Sequence, residues 1–236
     1  MGTLEILEDA EAVAARAADV LAGLLDGLPT ATVCLAGGST PERLYRLLAQ
    51  PPYRERIAWE RLEFFWGDER FVPLEHPDSN AGMARRALLD HVPARAERVH
   101  PIPTAAPDAE TAARDYETLL RGRFPGPGPR FDVLLLGLGA DGHVASLFPG
   151  SPALEEASRW VVSTRPGLAP LVERVTLTLP ALNAARNVVF LAAGAGKRRA
   201  VTQALSGRPP LMPGAQVRPA DGQTLWLVDK EAAPER

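Results

Sequence analysis

The sequence predicts an α/β protein: a mostly parallel sheet covered by helices on both faces, in three layers. Three observations predict it. Short apolar runs alternate with longer stretches of amphipathic spacing along most of the chain, as strands joined by crossover helices do. The runs at 32–36, 131–138 and 187–193 are apolar on nearly every residue, the mark of strands buried on both faces. Segments rich in glycine or charge follow several of these runs directly, where open α/β sheets bind ligands.

Residues 9–26 repeat apolar positions at helical spacing, through Val13, Ala17, Val20, Leu21 and Leu24. The strand at 32–36 then runs into Gly37-Gly38-Ser39-Thr40. Pro41 fits the first turn of a helix, which Ser39 or Thr40 can cap and which Pro51-Pro52 stops. A second strand at 62–66 leads into a charged loop over 67–80, and Asp78 or Ser79 caps a helix that runs to about His91. Residues 93–107 and 125–129 read as connectors on either side of a helix at 108–121. The strand at 131–138 is the most apolar and ends in Gly139-Ala140-Asp141-Gly142. Further strands are expected at 160–163, 174–179, 187–193 and 225–228, with a helical turn at 180–185 and a loop and helix at 194–205. No repeat is visible and the Pro-rich stretches are short, so residues 1–236 read as a single domain.

Composition removes several function classes. Hydrophobic residues make up 46% and charged residues 23%, with a formal net charge of -3, so there is no basic excess to hold nucleic acid. The N-terminus lacks the basic leader of a signal peptide, and no apolar run is long enough to span a bilayer. The lone Cys34 lies in an apolar run and reads as a small buried hydrophobe in a reducing compartment. A cytoplasmic protein is expected. His76, His91, His100 and His143 are scattered, with no H-x-x-x-H pattern or cysteine cluster, so no metal or other cofactor is expected. Walker A and G-x-S-x-G patterns are absent.

Four strand ends carry the candidate chemistry. Gly37, Gly38, Ser39 and Thr40 open a helix whose free N–H groups suit phosphate; the same residues equally make an ordinary tight turn. Asp68, Glu69 and Arg70 follow the second strand. Arg70 offers a planar fork to phosphate, whereas Glu69 and His76 read as solvated loop residues. The run Gly137 to Gly142 ends in His143, where an imidazole suits proton transfer better than dinucleotide binding, and Asp141 is near enough to orient it. Lys197 opens a helix after the strand at 187–193 as a second cation; Arg198 and Arg199 read as a solvated face.

Taken in order, LAGGSTP, FFWGDERFVPLEHPDSN, LLLGLGADGHVASLFPG and RVTLTLPALNAARNVVFLAAGAGK resemble the 6-phosphogluconolactonase family, over about residues 30–205. The resemblance implies a Rossmann-like fold similar to glucosamine-6-phosphate deaminase and, more distantly, ribose-5-phosphate isomerase. It also implies a carboxylic ester hydrolase of the pentose phosphate pathway, with a small phosphorylated sugar lactone as substrate. The phosphate would dock on the Gly37–Thr40 turn with Arg70, Lys197 and a third cation, Arg165. His143 would act as base, Asp68 or Asp141 would orient it or the sugar hydroxyls, and the Gly-rich 137–142 loop, with Gly139, or a cation would stabilise the oxyanion. Two departures separate the chain from the deaminase pattern. Phe148 stands where the deaminase has a glutamate, and Arg70 stands where it has a tyrosine. The sequence leaves open whether the chain is monomeric or homo-oligomeric.

Overall fold

The computed structural model describes residues 2–166, 171–208 and 212–235. The elements run β1 (Thr3–Leu7), α1 (Ala10–Leu25), β2 (Ala31–Leu35), α2 (Ser39–Leu48), α3 (Tyr53–Arg56), β3 (Leu62–Trp66), β4 (Asp68–Arg70) and α4 (Asn80–Ala87). They continue with α5 (Ala109–Arg123), β5 (Val133–Gly137), β6 (Val161–Thr164), β7 (Arg174–Leu177), α6 (Leu179–Leu182), β8 (Asn187–Ala192), α7 (Arg198–Ser206), α8 (Pro213–Gln216) and β9 (Gln223–Asp229).

Six strands form one sheet in the order β1-β9-β8-β5-β2-β3. Every neighbouring pair in it is parallel. Helices lie on both sides of this sheet, as the alternating pattern predicts. The strands β2, β3, β5 and β8 are buried over nearly their whole length. α1 turns a stripe of Val13, Ala17, Leu21 and Leu25 inward and is capped by Asp9, whose carboxylate accepts the Ala12 N–H at 2.8 Å. Among the described residues no helix is long and apolar enough to cross a membrane.

The structure differs from the sequence reading in four places. β1 is an edge strand that sequence did not anticipate; its shortness and partial exposure hide it. β4 is a three-residue strand inside the stretch read as a loop. It pairs antiparallel with β7, which pairs antiparallel with β6. The predicted strands near 160 and 174 therefore build a separate small sheet rather than extending the large one. Gly67 joins the two sheets: its N–H donates to Leu35 O at 3.0 Å and its carbonyl accepts the Leu177 N–H at 2.8 Å. Finally, α2 starts without a side-chain cap. Gly38, at φ 103°, makes the turn, so Ser39 and Thr40 are not spent as caps.

This topology places the site. Because the six strands are parallel, β2, β3, β5 and β8 end on one edge of the sheet. Chain order reverses between β2 and β5, and a crevice opens at such a switch point.

Candidate active site

A cavity of about 290 Å³ lies across those strand ends. Its walls include Gly37 to Pro41 after β2, Asp68 and Arg70 on β4, Gly139 and His143 after β5, and Lys197 after β8. Four segments far apart in sequence thus meet in one place.

The candidate base, His143, and its partner Asp141 come from the turn after β5. Asp141 Oδ1 accepts both the His143 backbone N–H, at 3.2 Å, and His143 Nδ1, at 2.6 Å. A carboxylate only accepts, so Nδ1 is the donor, and in the neutral imidazole the lone pair then lies on Nε2. Phe148 packs its ring on the imidazole, with centroids 4.8 Å apart. Gly139 is required here for space: a Cβ would fall 2.1 Å from His143 Nδ1 and 2.5 Å from Asp141 Oδ1. Its N–H donates to His143 O at 2.8 Å, and the Gly142 N–H donates to Gly139 O at 2.9 Å. Both of these donors are consumed within the turn.

The cations come from three elements. Arg70 is anchored by Nη1 donating to Asp78 O at 2.6 Å. Lys197 is half-buried in a 3₁₀ turn whose Gly194 N–H donates to Asp229 Oδ2 at 2.8 Å. Burial pushes the Lys197 ammonium below its ordinary pKa, and the Asp141 charge opposes this. Arg174, which the sequence reading left out, also lines the cavity. It is only 6% exposed and sits directly across the β4–β7 pair from Arg70. Burial foremost, and then Arg70, push its pKa down; Asp68, Asp78 and Glu69 pull the other way. The signal for it was a charge opening the apolar run RVTLTL.

One open alternative is resolved and two expectations are corrected. Asp68 shows no hydrogen bond to His143; its Oδ2 accepts the Ser146 hydroxyl at 2.6 Å, and its Oδ1 and carbonyl take Asn80 Nδ2 at 3.3 and 3.0 Å. Asp141 is the carboxylate on the base. Arg165 does not enter this cavity. It is exposed, forks onto Glu173 through Nε and Nη2 at 2.9 and 2.7 Å, and lines an adjoining cleft that also borders Asp141 and Phe148. Glu69 is not solvated: it is 1% exposed and accepts the N–H groups of Arg70, Asn80 and Ala81 and the Ser79 hydroxyl. Burial raises its pKa against the pull of those N–H donors. It ties β4 to the start of α4, where Ser79 is the cap and accepts the Gly82 N–H at 2.9 Å.

Residues 8–226 match the family described as glucosamine-6-phosphate isomerases/6-phosphogluconolactonase. The chain is 45% identical over 206 residues to a 6-phosphogluconolactonase of Synechocystis sp., a match covering 85% of this chain and 82% of the relative. It is 40% identical over 242 residues to one of Nostoc sp., covering 99% and 98%. Among solved structures, that of the 6-phosphogluconolactonase from Trypanosoma brucei matches with a TM-score of 0.87 at 33% identity, over 98% of this chain and 97% of that one.

Proposed function

Since the chain belongs to the glucosamine-6-phosphate isomerase/6-phosphogluconolactonase family, we propose that it is a 6-phosphogluconolactonase. It hydrolyses 6-phospho-D-glucono-1,5-lactone to 6-phospho-D-gluconate in the oxidative pentose phosphate pathway. The observation that carries this reading is His143, held by Asp141 and set in the same cavity wall as three cations and a helix N-terminus.

The phosphate binds at the start of α2, where unpaired N–H groups and the helix dipole favour an anion, with Arg70, Arg174 and Lys197 supplying charge. His143 Nε2 takes a proton from water as the water attacks C1, and Asp141 stabilises the imidazolium that forms. Charge on the tetrahedral oxygen is met by a nearby cation, which is worth most in a site that excludes water. The proton then passes from His143 to the departing ring oxygen. The lactone is already an activated ester, so positioning and one base suffice. Phe148, packed on His143, offers no proton to an amino sugar, which supports the lactonase over the deaminase activity. The same reading takes residues 1–236 as one catalytic unit in the cytoplasm.

The test generates the lactone in situ and follows acid release above the spontaneous rate, with glucosamine 6-phosphate and ammonia release run alongside. Hydrolysis without ammonia is expected, and His143→Ala should lower kcat about 10²–10⁴-fold. Ammonia without hydrolysis would replace this reading with the deaminase.

A further inference from the structure

The segment between β5 and β6 carries His143 yet forms no regular element before the 3₁₀ turn Pro152–Leu154. Val144 and Leu147 bury it in the core, and Ser146 supplies two of the hydrogen bonds that tie it to the rest of the protein. Ser146 is 1% exposed. Its hydroxyl donates to Asp68 Oδ2 at 2.6 Å, and its N–H donates to Thr176 Oγ1 at 3.1 Å. Just before it, Ala145 is held at φ 47°, in the left-handed region that a residue with a Cβ avoids. Such a conformation persists only where its surroundings impose it: here the tight turn in which the Leu147 N–H donates to Val144 O at 2.9 Å, and the adjacent Ser146 anchor.

The chain of contacts continues past Asp68. Asn80, 2% exposed, donates Nδ2 to both the carboxylate and the carbonyl of Asp68. The other side of the Asn80 amide lies against Gly37, where a Cβ would fall 1.9 Å from Asn80 Oδ1. Ser146, Asp68, Asn80 and Gly37 thus form a buried strut. One end holds the turn bearing the base, and the other abuts the turn that opens α2.

We propose that Ser146 is a positioning residue that, through this strut, sets the span between the His143 base and the phosphate-binding turn. The proposal rests on the lactonase reading. The substrate carries its phosphate on C6 and its reacting carbonyl at C1, so a fixed phosphate places the carbonyl only if the base stands at the right distance. Removing the Ser146 hydroxyl frees Ala145 to relax and lets His143 move, while Arg70, Lys197 and the Gly37–Thr40 turn still hold phosphate. A misplacement on the order of 1 Å can cost about 100-fold in rate.

The experiment measures kcat, KM and inhibition by inorganic phosphate for wild type, Ser146→Ala, Ser146→Cys, Asp68→Asn and the Ser146→Ala/Asp68→Asn double variant. Thermal unfolding is followed on each. We expect Ser146→Ala to lower kcat about 10–100-fold, with KM and phosphate inhibition within about threefold of wild type. Ser146→Cys, close in shape with a weaker donor, should fall between and decides the matter if the alanine variant does not fold. The double variant should lose about as much as the worse single one, as residues acting through one another do. Full kcat in either folded Ser146 variant, losses that multiply in the double variant, or a KM rise matching the kcat loss would each overturn the proposal. No lactone hydrolysis by the wild-type protein would remove the functional reading and this proposal together. Hydrolysis by wild type with full-rate Ser146 variants removes this proposal alone.

Discussion

The 2.6 Å contact between Asp141 and His143 Nδ1 fixes the tautomer that leaves Nε2 free to take a proton. Asp141→Asn tests that role more narrowly than deleting the base. An amide can donate to Nδ1, favour the wrong tautomer and leave no charge to stabilise the imidazolium. Steady-state kinetics should show kcat lower by about 10²–10⁴-fold, with KM changed only a few-fold. A kcat near wild type would mean that Asp141 merely shapes its turn. Lys197 permits a test by stability. Its ammonium makes no hydrogen bond or ion pair among the described residues, and burial lowers its pKa from the ordinary 10.5. A lowered folded-state pKa means that the charged form is penalised in the folded protein. The penalty is complete at neutral pH and fades as pH rises from the lowered value toward 10.5. Lys197→Met should therefore melt slightly higher than wild type near pH 7, the gap should narrow in alkaline buffer, and KM should rise. A variant that melts lower at pH 7 would show that Lys197 supports the fold rather than burdening it.

Which elements could be read from sequence follows from how each is buried. β2, β3, β5 and β8 are covered on both faces, so continuous apolar runs announce them, and the glycine or charge after each marks the functional edge. β4 could not be read, because three charged residues have no period; its pairing with β7 and the contacts of Glu69 make it a strand. The split into two sheets was hidden for the same reason, since strand length and apolarity do not specify a partner. Two site assignments suffered: Arg165, beside a proline after a strand, stood out in sequence, while Arg174 passed as the first residue of a strand. Register corrects this by setting Arg174 opposite Arg70. Like charges directly opposed across antiparallel strands destabilise a pair, and a dianion placed between them relieves the repulsion. Arg174→Met should raise both KM for the lactone and the inhibition constant of inorganic phosphate about tenfold or more, with a smaller effect on kcat. Unchanged phosphate inhibition would take Arg174 out of the binding site.

For the whole molecule, the cavity brings together elements that the sequence keeps apart: the turn after β2, the small sheet through β4 and β7, and the turn after β8. The two sheets are themselves linked through the Gly67 backbone, and the Ser146–Asp68 bond ties the segment after β5 to the small sheet. A ligand that binds only the folded chain stabilises it by mass action, by about 2.7 kcal/mol at a hundred times its Kd. For a protein of this size each kcal/mol raises Tm by about 2–4 °C, so 6-phosphogluconate at that concentration should raise Tm by about 5–11 °C. If residues 1–236 unfold as one unit, a single transition should move by that amount. His143→Ala should keep the shift, because the anchors for phosphate remain. Arg174→Met at the same ligand concentration should lose most of it. Two transitions, of which the ligand moves only one, would mean that the small sheet unfolds apart from the parallel sheet. The cations on β4 and β7 would then be held to the base by the ligand itself rather than by the fold.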